Sequence, residues 1–153
     1  MEQYGAMLNR FLVDAFNEIL KTEELCLASS CRDLSLRELH LIEEVCRTED
    51  EGRDNRATAI AAAQRVTAGT LTTAVSLLEK KGYLERHRDE RDKRVVRILP
   101  TAKAREAEEA HARFHDEMVS HVLAILSPEE TDTFVRALGS VAEFFHHKYG
   151  ETV

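Results

Sequence analysis

A chain of 153 residues that is 43% hydrophobic and 32% charged, with six glycines and two prolines, has the profile of one helix-rich globular domain and not of a disordered or collagen-like chain. No apolar run approaches the roughly 20 residues needed to span a bilayer, and no basic-then-apolar leader opens the sequence, so a cytoplasmic protein without a membrane partner is expected. The net charge of -7 weighs against unspecific phosphate binding, but acids crowd into Glu43–Glu44, Glu49–Glu51, Glu106–Glu109 and Glu129–Glu130, while cations gather between Lys80 and Arg97.

Leu8, Phe11, Leu12, Ala15, Phe16, Ile19 and Leu20 repeat at helical spacing and predict an amphipathic helix over about 2–25. A second helix is expected from Ser35, an N-cap with Glu38 three residues on, to about Arg47. Thr48–Asn55 reads as a solvated loop, and Asn55 as the cap of an alanine-rich helix from Arg56 to Arg65. After Val66–Thr70, the residues Leu71, Ala74, Val75 and Leu78 define one buried face of a helix over 67–81 that stops before Gly82.

Residues 83–88 and 95–99 are expected to pair as antiparallel strands around the charged loop Asp89–Arg94, forming a wing. Pro100 is read as the opener of a long helix to about Leu126, with a stripe of Ala107, Phe114, Met118, Val122 and Ile125. Ser127 caps a last helix, with Pro128 in its first turn and Phe134, Leu138, Val141 and Phe145 on its apolar face. The fold class is therefore mainly α with a small β-hairpin wing: a winged helix-turn-helix lobe over 34–99, flanked by N- and C-terminal dimerisation helices at 1–33 and 100–153.

A DNA-reading helix needs one buried face and an opposite face of short polar side chains that reach base edges. The 67–81 helix offers Thr67, Thr70, Thr72, Thr73 and Ser76 opposite Leu71, Val75 and Leu78. A hairpin tip can place an extended arginine in the narrow minor groove; Arg91 and Arg94 are the candidates, with Asp92 near enough to hold a guanidinium in place. Duplex DNA is the expected partner.

The runs Leu34–His40 (LSLRELH), Val66–Thr72 (VTAGTLT), Leu78–Leu84 (LEKKGYL) and Asp89–Arg94 (DERDKR) together resemble the MarR family of bacterial regulators over nearly the whole chain. The resemblance implies a homodimeric repressor with intertwined terminal helices, a pseudo-palindromic operator, a recognition helix in each major groove and Arg94 in the adjacent minor groove. The segment Leu99–Ala104 departs from the family pattern, which more often has a glycine after the last strand.

Within the family, Glu23–Leu25, His40, Val66–Thr67, Thr72–Thr73 and Arg113–His115 resemble the repressors of fatty-acid synthesis genes, which implies a response to acyl chains or to acyl carrier protein. A lipid-like effector would need an apolar slot, for which Phe11, Phe16 and Ile19 face Phe114 and Met118 as candidates. An acidic carrier would land on Lys80, Lys81 and Arg86, the residues also available to DNA.

Zinc is the competing effector and the one candidate cofactor. His111 and His115 stand one turn apart on a helical face, and Glu24 and His40 would complete a tetrahedral set, an arrangement that resembles zinc-responsive members of the family. Cys26, Cys31 and Cys46 lack CxxC spacing and are expected to be buried free thiols; a redox role ranks third, with Arg32 the one cation beside them in sequence. No phosphate loop, GxSxG or HExxH motif appears, so no enzyme is expected. A helical dimerisation or adaptor protein without DNA binding is the alternative from another class.

Overall fold

The computed structural model describes residues 2–149 as α1 (Glu2–Ser30), α2 (Leu36–Asp50), α3 (Ala57–Ala63), α4 (Ala68–Lys80), β1 (Leu84–Arg88), β2 (Val96–Pro100), α5 (Ala102–Ile125) and α6 (Pro128–Tyr149). This is the helix-rich, winged helix-turn-helix class that the sequence predicts.

The capping box at the start of α2 is present: the Glu38 N–H donates to Ser35 Oγ at 3.3 Å, and the Ser35 N–H donates to the Glu38 carboxylate at 2.8 Å. The helix runs three residues past Arg47, to Asp50, shortening the expected loop. Glu44 and Thr48 are buried in that last turn, and Glu44 is held by Arg47, by the Thr48 hydroxyl and by Arg53 at 3.0 Å. Only the helical backbone places Glu44, Arg47 and Thr48 on one face for this network.

Helix α3 is shorter than its alanine content suggests, and its N-cap is Arg56 without a side-chain cap bond. Asn55 does not cap it. Its carbonyl instead accepts from the Ile98 N–H at 2.9 Å and its side-chain oxygen accepts from Arg97 Nη1 at 2.8 Å, tying the wing to the body. The helix ends because Arg65 turns left-handed, with φ 51°; the Arg65 N–H then bonds Ala62 and the Val66 N–H bonds Ala61. A non-glycine residue in this conformation costs about 1–2 kcal/mol.

Thr67 caps α4 by accepting from the Thr70 N–H at 3.2 Å. At its other end Gly82 has φ 80°, a conformation that favours glycine. The Gly82 N–H bonds Glu79 and the Tyr83 N–H bonds Leu78, closing the helix and delivering buried Tyr83 into β1. β1 and β2 pair antiparallel, with Leu84 opposite Pro100 and Arg88 opposite Val96.

Pro100 ends β2 and does not open the helix; Thr101 is the N-cap of α5. A strand end tolerates proline, which has no N–H for the ladder, and Thr101 accepts from the Ala104 N–H while its hydroxyl donates to Gly82 O at 2.8 Å. The departure from the family pattern thus leaves α5 with a cap. Ser127 caps α6 as expected, through reciprocal bonds with Glu130.

One core fills the middle of the molecule. Leu39, Ile42 and Val45 of α2 meet Ile60 of α3, Leu71, Val75 and Leu78 of α4, and Leu84 and Ile98 of the hairpin. The same core takes in Leu27 from the end of α1 and Ala104 and Ala107 from the start of α5. α6 buries none of its side chains, and Phe134, Val135, Leu138, Phe144 and Phe145 lie exposed along it. No helix of the described residues is long and apolar enough to cross a membrane.

Candidate nucleic-acid interface

Helix α4 is anchored by Leu71, Val75 and Leu78 and turns Thr67, Thr70, Thr72 and Thr73 outward, all exposed. Their hydroxyls are partly engaged at home: Thr67 Oγ1 and Thr70 Oγ1 lie 2.9 Å apart, and the Thr73 hydroxyl donates to Gly69 O at 3.1 Å. These are short surface bonds that exchange readily for a base or phosphate oxygen.

Ser76 is half-buried and sits in a network that the sequence did not disclose. It donates to Thr72 O at 2.9 Å and accepts from Arg86 Nη2 at 2.9 Å. Arg86, on β1, also donates to Thr72 O at 2.7 Å and to Glu79 at 2.8 Å. The guanidinium therefore bolts the wing to the outer face of α4, so that helix and hairpin present themselves as one rigid surface.

The wing tip is shaped by two aspartates. Asp89 accepts the backbone N–H groups of Arg91 and Asp92, and its other oxygen accepts from Arg97 Nε at 2.8 Å. The Arg97 bond and then the two backbone donors hold the Asp89 carboxyl below its ordinary range. Asp92 accepts the Arg94 N–H at 3.0 Å and grips the Arg94 side chain through both oxygens, at 3.0 Å each. That bond lowers the Asp92 pKa from its ordinary value. The Arg94 side chain is 91% exposed, so Asp92 orients it without hiding it. Arg91 is exposed beside it.

Of the basic stretch, Lys80, Arg88, Arg91 and Lys93 are exposed and lie outside the ion pairs of the described residues. Lys81 and Arg86 belong to the fold. Lys81 pairs with Glu38 at 2.7 Å and Arg86 with Glu79, which removes two of the three cations expected as a landing patch for an acidic carrier.

The proposed apolar slot is not enclosed within one chain: Phe11 and Phe16 are exposed on α1, while Ile19 and, on α5, Phe114 and Met118 are half-buried. The Phe114 ring lies against histidines, 6.2 Å from His111 and 5.2 Å from His115 between centroids. The histidines themselves meet Glu23, not Glu24. Glu23 is buried and lies 3.5 Å from His111 and 3.3 Å from His115, with His40 3.9 Å from its other oxygen; Glu24 is exposed. In the sequence the two adjacent glutamates are equivalent, and only the rotation of α1 against α5 separates them.

Cys46 is fully buried, and burial pushes its thiol up to about 12, as expected of an inert cysteine. Cys26 and Cys31 are only half-buried, because they lie near the end of α1 at the edge of the core.

A capped recognition helix, a hairpin bolted to it and an arginine held at the tip define a winged helix-turn-helix regulator. The MarR family model matches residues 50–96, from the last residue of α2 through α3, α4, β1 and the wing loop to the first residue of β2. Streptococcus pneumoniae FabT, in a crystal structure with DNA, is 34% identical with a TM-score of 0.83, covering 93% of this chain and 97% of that one. The chain belongs to the MarR family, a family of transcription regulators and not of enzymes.

Staphylococcus aureus MepR in complex with DNA shares the fold at 21% identity and a TM-score of 0.69, covering 92% of this chain and 95% of that one. A MarR protein from Peptoclostridium difficile shares it at 16% identity and 0.73, covering 95% and 92%. Comparison with curated protein sequences gives no match.

Proposed function

We propose that the protein is a homodimeric repressor that binds a pseudo-palindromic duplex operator, with α4 in the major groove and Arg94 in the adjacent minor groove. The observation that carries this reading is the 34% identity over 93% of the chain to FabT, a protein crystallised with DNA. Thr67, Thr70, Thr72, Thr73 and Ser76 are assigned to base and phosphate contact, Arg91 and Arg94 to the minor groove, and Asp92 to positioning Arg94. The dimer is supported by the apolar residues left exposed on α1 and α6, more than a solitary soluble chain ordinarily shows. In this division 34–99 reads DNA, and 1–33 and 100–153 supply the dimer contacts.

Two effectors fit this frame. The resemblance to repressors of fatty-acid synthesis genes supports an acyl chain or acyl carrier protein, in a slot between Phe11, Phe16 and Ile19 and Phe114 and Met118. The convergence of His111 and His115 on Glu23 supports zinc.

The test is retention of promoter DNA at several salt concentrations, with Arg94→Ala beside the unmodified chain. Specific binding is expected to fall steeply with salt, and Arg94→Ala to weaken it by about 1–3 kcal/mol at fixed salt with stability unchanged. No retention of promoter DNA even at low salt would instead favour the dimerisation or adaptor reading.

A further inference from the structure

The hairpin has two faces, and only one of them meets α4. Arg86 of β1 turns inward to Thr72, Ser76 and Glu79. Side chains alternate across a strand, so His87 and its partner across the ladder, Arg97, turn to the opposite face. Arg56, just before α3, extends that face through an antiparallel bridge to Arg97. With the wing loop these residues border a cleft of about 640 Å³, lined by Arg56, Arg88, Arg91, Arg97, Asp89 and Glu90 among others. Among the described residues none from α4 lines it.

The cleft is cationic on a chain whose net charge is -7. Two of its arginines are already fixed in place. Arg97 donates to Asp89 and to Asn55, each at 2.8 Å, and Arg56 donates to Asp54 at 2.7 Å. A guanidinium carries more N–H donors than these bonds use, so both keep donors for a further acceptor. Arg88 and Arg91 are exposed and outside the ion pairs of the described residues. With Arg97–Asp89 and Arg56–Asp54 taken as neutral pairs, Arg88 and Arg91 still outweigh Glu90.

Position says which anion such a cleft meets. Arg91 lines it and also stands at the wing tip near Arg94, which the DNA-binding reading places in the minor groove. A minor groove is about 6 Å wide and is walled by two sugar–phosphate strands. With α4 in the major groove, one of those strands passes between α4 and the hairpin. The other must pass along the far side of the hairpin, and there the chain presents the cleft.

We propose that this cleft seats the phosphodiester backbone of the operator strand that walls the minor groove on the side away from α4, with Arg56 and Arg88 as its direct contacts. The proposal rests on the DNA-binding reading and assigns residues that the reading leaves unused. Guanidinium forks match phosphate oxygens, and such contacts fix register without preferring any base. Arg86 ties the inner face of the hairpin to α4, so a phosphate seated on the outer face holds the wing from both sides. Glu90, the acid of the cleft outside the ion pairs of the described residues, opposes that binding.

The full chain, Arg88→Ala, Arg56→Ala and Glu90→Gln are each titrated onto promoter DNA and onto an unrelated duplex between about 50 and 200 mM salt. Each arginine variant is expected to weaken both duplexes, the promoter by roughly 10- to 100-fold at the lower salt. The slope of log affinity against log salt is expected to fall by about 1.8, one phosphate in each half of the dimer. Glu90→Gln is expected to tighten both duplexes by about 2- to 5-fold. Preference for the promoter is expected to stay as it is in all three. A methylphosphonate placed in turn at each promoter phosphate then locates the contact: at one position per half-site the unmodified chain loses affinity and Arg88→Ala does not. Arg88 is exposed and outside the ion pairs, so its variant is expected to unfold at the same temperature as the unmodified chain.

Promoter DNA bound with unchanged salt slopes in both arginine variants overturns the site and leaves the repressor reading intact. A loss confined to the promoter also overturns it, because Arg88 and Arg56 would then be reading bases. Methylphosphonate sensitivity that persists in Arg88→Ala at every phosphate does the same. Failure of the unmodified chain to bind promoter DNA at low salt overturns the repressor reading and the site together, an outcome told apart from the others by the unmodified chain alone.

Discussion

The stretch from Leu34 to Ala107 and the terminal helices bury their apolar residues in different ways. In the first, Leu77 is the one large apolar side chain left exposed among the described residues, and the remainder close around Ile42, Val75 and Leu78 without help from a second chain. In the second, α6 buries nothing, and α1 leaves Tyr4, Leu8, Phe11 and Phe16 at 59–75% exposure. The reading module is complete in one chain, whereas the terminal helices carry a face that requires covering. Such a division is compatible with the proposed switch: a rigid reader can be re-spaced by what happens among the helices that hold it, without being altered itself.

The largest effect that would break this comparison is expected from a charge on the uncovered face. Leu138→Glu removes an apolar contact worth about 1.5–3 kcal/mol when covered, and in a two-fold dimer it does so twice. Sedimentation is expected to show the dimer weakened by about 3–6 kcal/mol, with operator binding lost alongside. A dimer of unchanged strength would mean that α6 is not part of the interface.

Next in size is Ile42→Ala, in the centre of the reading module. Its side chain is fully buried between α2 and its neighbours, so the cavity is expected to cost about 2–5 kcal/mol of stability in denaturant unfolding. Sedimentation of the folded fraction is expected to show the same dimer. Loss of the dimer at denaturant levels that leave the variant folded would show that the two regions are not separable as described.

The same division governs how much the sequence disclosed. Periodicity and caps were enough for the helices, the hairpin and the outward face of α4, because those signals are local: Ser35 with Glu38, Thr67, Gly82 and Ser127 each act within four residues. What was missed depends on partners distant in sequence. Asn55 looks like a helix cap until Arg97 and Ile98 claim it from 42 and 43 residues away. Arg86 looks like a free cation until Glu79 and Ser76 take it. Glu23 could not be told from Glu24 because both follow the same helical run, and only packing against α5 turns one inward. Glu43 sat in an acidic pair with no signal that it meets His111, 68 residues on.

The smallest of the expected effects concerns Glu44, where the reading module contains a buried carboxylate. Burial pushes its pKa up, but hydrogen bonds from Arg47 and Arg53 outweigh burial and hold it below the ordinary 4.5. A group whose folded pKa is depressed contributes stability above its unfolded pKa and loses it as pH falls through the folded value. The contribution is therefore expected to be whole at pH 7 and to fade from about pH 4.5 downward. Both guanidiniums are partly exposed, at 62% and 40%, so solvent screening limits it to about 1 kcal/mol. Urea unfolding of the unmodified chain and Glu44→Gln at pH 7 and pH 3 checks this. The gap between the two is expected at pH 7 and to close at pH 3, because protonated glutamate and glutamine are near-equivalent partners for the arginines. An equal gap at both values would assign the effect to packing, and the reading module would then owe none of its acid sensitivity to this network.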